Sequence, residues 1–423
     1  MNESLLYPRN VRRCLEEALT DTPVVLVHGP RQCGKTTLAR AVGESLGYDY
    51  ITFDDDVQLG AAKVDPVGYV ARLSDKTVLD EVQRVPDLFL ALKASVDRDR
   101  RPGRFILTGS TNVLLVPNLA DSLAGRMGIV RLHPLSQGEL GRCDSHFLDA
   151  LFSGGIPNGR YERLGPALGE RIVAGGYPAA IARATPRRRT AWYRNYIETI
   201  VQRDVRSMAR IGGLNILPRL LQLAAGQTGR LVNVTEMASQ FQVARPTARD
   251  YVALLERAFL LEHVPPWHSN RLSRLIKTPK LHLCDTGLAA ALLGATAESL
   301  DGDRSLHGQL LETFVLQELR RQASWNETPV SFFHFRDKEG MEVDIVLERD
   351  SGEVAGVEVK SGLTVTSSDF RGLRKLKRAL GDRMATGVVV YDGERVVGFG
   401  DNLYAVPIRA IWEACPSGVI RRK

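Results

Sequence analysis

Ten residues decide most of what this chain can become. His28-Gly29-Pro30-Arg31-Gln32-Cys33-Gly34-Lys35-Thr36-Thr37 follows the apolar run Val24-Val25-Leu26-Val27 and precedes Leu38-Ala39-Arg40-Ala41-Val42, which reads as the opening of a helix. Strand, glycine-bearing loop, Lys-Thr and helix is the context of a P-loop, and the spacing Gly29-x-x-x-x-Gly34-Lys35-Thr36 satisfies it. Glycines let backbone N–H groups turn inward around phosphate oxygens, and the helix N-terminus adds partial positive charge. Gly29, Pro30, Arg31, Gln32, Cys33, Gly34, Lys35, Thr36 and Thr37 are therefore the candidate nucleotide-binding set. Lys35 is expected to reach the β and γ phosphates of ATP, and the Thr36 hydroxyl to ligate Mg²⁺. A thiol inside the loop, Cys33, makes nucleotide binding a candidate target of thiol reagents.

The segments that follow supply the rest of such a site. Tyr48-Asp49-Tyr50-Ile51-Thr52-Phe53 reads as a second strand. Thr77-Val78-Leu79-Asp80-Glu81 is a short apolar strand ending in adjacent carboxylates. After a P-loop, that pattern assigns Asp80 to Mg²⁺ and Glu81 to the water that attacks the γ-phosphate. Arg104-Phe105-Ile106-Leu107-Thr108-Gly109-Ser110 is another strand with hydroxyls at its carboxyl end, where ligands of parallel sheets sit. Thr108 or Ser110 is thus the candidate γ-phosphate sensor. Arg126, ahead of the strand Gly128–Leu132, is a candidate charge-stabilising arginine, in cis or toward a neighbouring subunit.

Gly29 to Thr37, Leu79-Asp80-Glu81-Val82-Gln83, Leu107-Thr108-Gly109-Ser110, Leu123-Ala124-Gly125-Arg126, Pro134-Leu135-Ser136 and Gly175-Gly176-Tyr177-Pro178 occur in that order. Together they resemble a prokaryotic family of AAA-superfamily ATPases with a conserved C-terminal half. The resemblance covers nearly the whole chain and implies an ATPase core with additional strands between the two Walker motifs.

Beyond residue 185 the pattern changes. Val234 to Phe241 reads as a capped helix, Gln242-Val243-Ala244 as a turn, Arg245 to Glu256 as a second helix and Phe259 to Val264 as a strand. This is the order of a winged helix-turn-helix, in which Arg245, Thr247 and Arg249 would face a DNA groove. Such modules also serve as protein-docking units. Further on, Glu312 lies on a helical segment, Asp344 on one strand, and Glu358 and Lys360 on the next. The set matches the PD-(D/E)-x-K nuclease pattern. Alternation puts Glu358 and Lys360 on one face. Glu312, Asp344 and Glu358 are then candidate metal ligands, and Lys360 a candidate catalytic group at a phosphodiester. A basic run, Arg371, Arg374, Lys375, Lys377 and Arg378, follows on a helix.

The expected fold class is a multidomain α/β protein: an AAA-type P-loop ATPase at 1–185, a winged helix at 186–272 and a restriction-endonuclease-like α/β domain at 273–423. At 423 residues the chain is too long for one core, and its net charge of +7 permits nucleic acid without requiring it. Five scattered cysteines, no signal-peptide pattern and no long apolar run lead to the expectation of a cytoplasmic chain without a membrane partner. ATP and Mg²⁺ are the expected ligands, with DNA and a second copy of the chain as candidate partners. The leading functional expectation is an ATPase acting on DNA with a metal-dependent nuclease domain. The alternative is a nucleotide-switched interaction protein whose C-terminal carboxylates are vestigial.

Overall fold

Val24–His28 forms β1, buried along its whole length, as a strand covered on both faces of a parallel sheet must be. In the computed structural model, residues 7–109, 123, 125–143, 145–156, 158–205, 216–268 and 278–413 are described. The chain divides into two compact units, Met1–Leu135 and Ser136–Lys423.

In the first unit β1 joins β2 (Asp49–Thr52), β3 (Thr77–Asp80), β4 (Phe105–Gly109) and β5 (Met127–Arg131) in a sheet of order β2-β3-β4-β1-β5. Every pairing is parallel. β4 therefore lies between the P-loop strand and the strand that ends in Asp80, which is the inserted strand the family resemblance implied. The registers Val27↔Thr108 and Leu79↔Leu107 bring the carboxyl ends of β1, β3 and β4 to one edge. The helix Lys35–Leu46 buries Leu38, Ala39, Val42 and Gly43 and ends at Gly47 in the left-handed region. At Gly43 a Cβ would come within 2.7 Å of Val78, so a side chain there would push the helix off the sheet. Leu26, Phe53, Leu79, Phe89, Phe105 and Leu107 fill the core. Each such side chain contributes about 1.5–3 kcal/mol by leaving water.

The second unit starts earlier than composition suggests. Residues 136–185 were expected to belong with the ATPase, yet they are bonded into the C-terminal half. Gln137 N–H donates to Glu318 at 2.9 Å, and Leu164 and Gly165 N–H groups donate to Asp392 at 3.1 and 3.0 Å. At the centre of this unit is a buried polar network. The fully buried Asp285 carboxylate accepts from Gly176 N–H at 2.7 Å and Tyr193 OH at 3.1 Å, and pairs with Arg321 at 3.1 Å. Arg321 in turn pairs with Glu318 at 2.6 Å. A Cβ on Gly175, whose φ is +65°, would lie 2.2 Å from Asp285 Oδ1. Glycine at 175 is thus required by the approach of this carboxylate.

Helices Val234–Gln240 and Arg245–Arg257 are followed by β7 (Leu261–Val264). β7 belongs to a three-stranded antiparallel sheet with β6 (Arg230–Leu231) and β8 (Lys280–Leu283), in the order β6-β8-β7. A division at 272/273 would cut the β7–β8 pairing. The remaining strands, β9 (Val330–Arg336), β10 (Glu342–Arg349), β11 (Val354–Val359), β12 (Met384–Tyr391), β13 (Val397–Gly398) and β14 (Leu403–Pro407), form a mixed sheet of order β13-β14-β12-β11-β10-β9. Alternation along β10 sends Ile345 and Leu347 into one core with Leu311, Phe314 and Val315 of the helix Arg304–Ala323. Val346 enters the opposite core with Leu373, Leu376 and Leu380 of the helix Arg371–Leu380. The sheet is covered on both faces.

Candidate functional site

The P-loop geometry follows from its glycines. A Cβ on Gly29 would sit 2.0 Å from the Leu132 carbonyl, so only glycine lets the loop pass the chain after β5. Gly34 has φ +101° and Gln32 φ +59°, and these turns shape the backbone between β1 and the helix. Arg9, which sequence reasoning missed, donates to the Cys33 carbonyl at 2.7 Å and to the His133 carbonyl at 2.6 Å, clamping the loop from outside. No motif marks Arg9. The Cys33 side chain is fully buried, with Sγ 3.6 Å from the Leu132 carbonyl. The expected accessibility of this thiol is therefore corrected: the loop's own packing shields it. Pro30 is buried, Arg31 half-buried, and Gln32 and Thr37 are exposed. Lys35 is 5% exposed, and its ammonium donates to the Pro30 carbonyl at 2.7 Å. Burial lowers its pKa, while neighbouring Glu81 and Asp80 act in the opposite direction.

Asp80 is the hub of the carboxyl edge. Thr36 Oγ1 lies 2.9 and 3.2 Å from its two carboxylate oxygens, Tyr50 OH donates to Oδ2 at 2.8 Å, and Thr108 OH donates to Oδ1. Burial and the bond to Asp80 push the Tyr50 pKa up to about 12. Tyr50, placed by the Thr52↔Asp80 register of β2 beside β3, was not singled out from sequence. Glu81 follows directly with φ +59° and ψ +43°, a left-handed conformation that a residue with a side chain rarely adopts. Its N–H donates to Thr108 Oγ1 at 3.2 Å, and its carboxylate accepts from the Gln83 amide. The structure thus brings Lys35, Thr36, Asp80, Glu81 and Thr108 together, and Ser110 lies outside the described residues. The chemistry of the pair Thr36 and Asp80, a hydroxyl beside a carboxylate, suits Mg²⁺, which takes few protein oxygens and completes its shell with water and phosphate.

Arg126 is not at this edge. Met127 pairs with Val24, the first residue of β1, so Arg126 precedes the strands' amino ends. That is roughly 13 Å, four strand residues, from the P-loop end of β1. Its guanidinium pairs with Asp97 at 2.6 Å. The expectation that Arg126 acts in cis is corrected by this register.

In the second unit Glu312, Asp344, Glu358 and Lys360 also come together, but around a residue the sequence did not flag. The Lys280 ammonium lies 2.8 Å from Glu312 Oε1 and 3.2 Å from Asp344 Oδ1. Asp344 Oδ2 accepts from Val359 N–H at 3.0 Å, and Lys360 donates to Glu358 Oε1 at 2.7 Å. Burial disfavours charge on Lys280, but Asp344 and Glu312 outweigh it and raise its pKa. Burial, reinforced by Asp344, pushes Glu358 up to about 8 and Glu312 well above the usual carboxylate range. Among the described residues no group of three or more His, Cys, Asp or Glu side chains is arranged to hold a metal ion. The expected metal set Glu312, Asp344 and Glu358 is corrected accordingly: two of its three members face an ammonium.

Comparison with known proteins places the chain in a family. Residues 21–141 match the AAA domain family, residues 165–299 a domain of unknown function (DUF8612) and residues 307–411 another domain of unknown function (DUF4143). Uncharacterized protein Rv2008c of Mycobacterium tuberculosis and Uncharacterized protein Mb2031c of Mycobacterium bovis are each 32% identical over 406 residues, 95% of this chain and 84% of theirs. This chain belongs to their family. Its N-terminal part is an AAA-superfamily P-loop ATPase domain. Solved structures with similarity include the Walker-type ATPase PABY2304 of Pyrococcus abyssi, 15% identical, covering 69% of this chain and 97% of that one with a TM-score of 0.45. The RuvB Holliday junction branch migration motor of Thermotoga maritima is 20% identical, covering 60% and 89%, with a TM-score of 0.27. No helix among the described residues is long and apolar enough to cross a membrane.

Proposed function

We propose that this chain binds ATP with Mg²⁺ and hydrolyses it at Lys35, Thr36, Asp80, Glu81 and Thr108. The observation that carries the reading is the hydrogen-bonded convergence of Thr36, Thr108 and Tyr50 on Asp80, one residue from Glu81. Lys35 exchanges the Pro30 carbonyl for the β and γ phosphate oxygens as nucleotide enters. Thr36 and Asp80 would hold Mg²⁺, which when bound would supply charge neutralisation on those oxygens. Glu81 accepts a hydrogen bond from the attacking water. The water oxygen bonds to the γ-phosphorus, the bond to the β-phosphate oxygen breaks, and ADP and phosphate leave with the water's proton passed through Glu81. Thr108 ties Asp80 to the Glu81 backbone and so reports the state of one to the other. Arg126, at the far end of its own sheet, has no part in this assignment. The test is ATP turnover by purified chain: Lys35→Ala removes binding, and Glu81→Gln retains binding while turnover falls. Normal turnover in Glu81→Gln would overturn the assignment.

For the second unit we propose a winged helix built from 186–272 together with β8, joined to a restriction-endonuclease-like domain that keeps its ordered carboxylates but does not cleave. Support for the first part is the helix, turn, helix and antiparallel strands, with Arg245 and Arg249 exposed and Thr247 half-buried at the start of the second helix. Support for the second is Lys280, whose ammonium sits between Glu312 and Asp344. The donor set does not fit a divalent ion, so no cleavage step through Lys360 is derived. Duplex DNA binding through Arg245 and Arg249 is read by its salt dependence, each phosphate contact contributing about one unit of slope. Binding unchanged in the Arg245→Ala, Arg249→Ala double variant would remove DNA from the reading, and metal-dependent cleavage lost in Lys360→Ala would restore the nuclease.

A further inference from the structure

We propose that Lys280 is the resident cation of the carboxylate cluster and that the cluster takes no Mg²⁺ or Mn²⁺ while that lysine is present. The inference deepens the non-cleaving reading of the second unit and rests on it for one point only, the place where a metal would be expected.

The position of the ammonium is fixed by backbone pairing on both sides. Lys280 is the first residue of β8, pairing with Leu231 of β6 and with Val264 of β7. Its side chain is 4% exposed and runs inward to Glu312 and Asp344. Divalent ions need carboxylate oxygens at about 2.0–2.6 Å from one centre. Here the space between the two carboxylates holds Nζ, at 2.8 and 3.2 Å. The other oxygens are largely committed as well. Asp344 Oδ2 accepts the Val359 N–H, and Glu358 Oε1 accepts from Lys360. To enter, a metal would have to displace a buried ammonium and strip it of its counter-ions, and breaking a buried pair from one side is strongly unfavourable.

The charge balance points the same way. Glu312, Asp344 and Glu358 face Lys280 and Lys360, so at most one negative charge is left over for an added ion. Glu358 Oε2 is buried and has no hydrogen-bond partner. It is an oxygen that an added cation could take as a ligand once Lys280 is removed. A lysine in a strand of one sheet therefore occupies the position a metal would need between a helix and another sheet, and the cluster is an internal ion pair.

The experiment titrates Mn²⁺ alone, without nucleotide, into the full chain carrying Asp80→Asn to weaken the P-loop metal position, reading bound Mn²⁺ by electron paramagnetic resonance. The parent and Lys280→Arg, which keeps a cation, are expected to bind no Mn²⁺ that depends on Asp344. Lys280→Ala is expected to gain one ion, at least about tenfold tighter than any binding in the parent, and to lose it on adding Asp344→Asn. Its melting temperature should rise with Mn²⁺, while that of the parent should not. Mn²⁺ bound by the parent and lost on Asp344→Asn would overturn the inference, even if Lys280→Ala failed to fold. It would leave the carboxylates standing as a metal site and so revive the nuclease reading. A folded Lys280→Ala that binds no Mn²⁺ would also overturn it, by showing that the lysine does not stand in a metal's place.

Discussion

Replacing Glu81 by alanine and by glycine separates what its backbone does from what its carboxylate does. At φ +59° any Cβ crowds the following carbonyl. The left-handed conformation costs about 1–2 kcal/mol for a residue other than glycine. Glycine removes that cost but adds about 0.5–1 kcal/mol of unfolded-chain entropy. Both variants lose the same side-chain bond, to Gln83. Their difference therefore isolates the backbone, and Glu81→Gly should be more stable than Glu81→Ala by roughly 0.5–1 kcal/mol. For turnover the two should be equally poor. Loss of a positioned proton acceptor reduces rates by about 10²–10⁴, or roughly 3–5 kcal/mol of barrier. Calorimetric unfolding and steady-state ATP hydrolysis with Mg²⁺ measure the two quantities separately. The reasoning fails if glycine is no more stable than alanine, because the turn would then carry no strain. It also fails if either variant hydrolyses ATP within about tenfold of the parent, because Glu81 would then not hold the attacking water.

Gly175→Ala should unfold the second unit at much lower denaturant. A Cβ would lie 2.2 Å from Asp285 Oδ1 and 2.3 Å from Tyr193 OH, with φ +65° besides. The left-handed penalty and the loosened Asp285–Arg321 pair together cost about 4 kcal/mol or more. All four tryptophans, Trp192, Trp267, Trp325 and Trp412, belong to this unit, so their fluorescence reports it alone. A midpoint shift equivalent to less than about 1 kcal/mol would contradict the network's role. Cys33 should resist thiol reagents in the native chain and react on unfolding, and rapid inactivation that ATP protects against would contradict its burial. His334, 2% exposed on β9, is pushed down to about 4 by burial and by the charge of Lys280, with Arg336 acting the same way and Asp344 opposing. The unfolded chain takes this proton near pH 6.5 and the folded chain only near 4. The stability held above pH 6.5 is therefore lost progressively as pH falls toward 4, by up to about 3 kcal/mol. His334→Phe should flatten that slope, and an unchanged slope would refute the assignment.

The parts of this molecule that sequence made legible are those in which cause and effect lie close along the chain. Gly29, Gly34, Lys35 and Thr36 follow β1 within a few residues, so spacing alone locates the loop. Asp80 and Glu81 are legible for the same reason, being the end of an apolar strand. Arg126 marks where this kind of reading stops. A position just before a strand says nothing about which edge of the sheet it occupies, and only the Val24↔Met127 register does. Nor did the basic helix start at Pro186 reveal a domain boundary. The unit boundary lies at Leu135/Ser136, because Gln137 bonds to Glu318, 181 residues away.

Two motifs that look alike on paper prove to be physically opposite. Asp80 ends a strand with its carboxylate bonded to three hydroxyls, Thr36, Tyr50 and Thr108, all neutral. A cation brought there meets no resident positive charge on that carboxylate. Asp344, buried, and Glu312, half-buried, are also acids brought together by secondary structure, but Lys280 reaches them from 64 and 32 residues away in sequence. Asp285 is a third case, an acid that caps the helix after β8 and is consumed by Arg321, Tyr193 and the Gly176 amide. An acidic side chain held by secondary structure therefore becomes a candidate metal ligand, an internal ion pair or a structural hub, according to what reaches it from elsewhere in the chain. What separates the outcomes is the charge of the partner. Hydroxyl partners leave an acid able to accept a metal, and a buried lysine or arginine does not. On that criterion the chemistry of this chain is concentrated at the carboxyl edge of the first sheet.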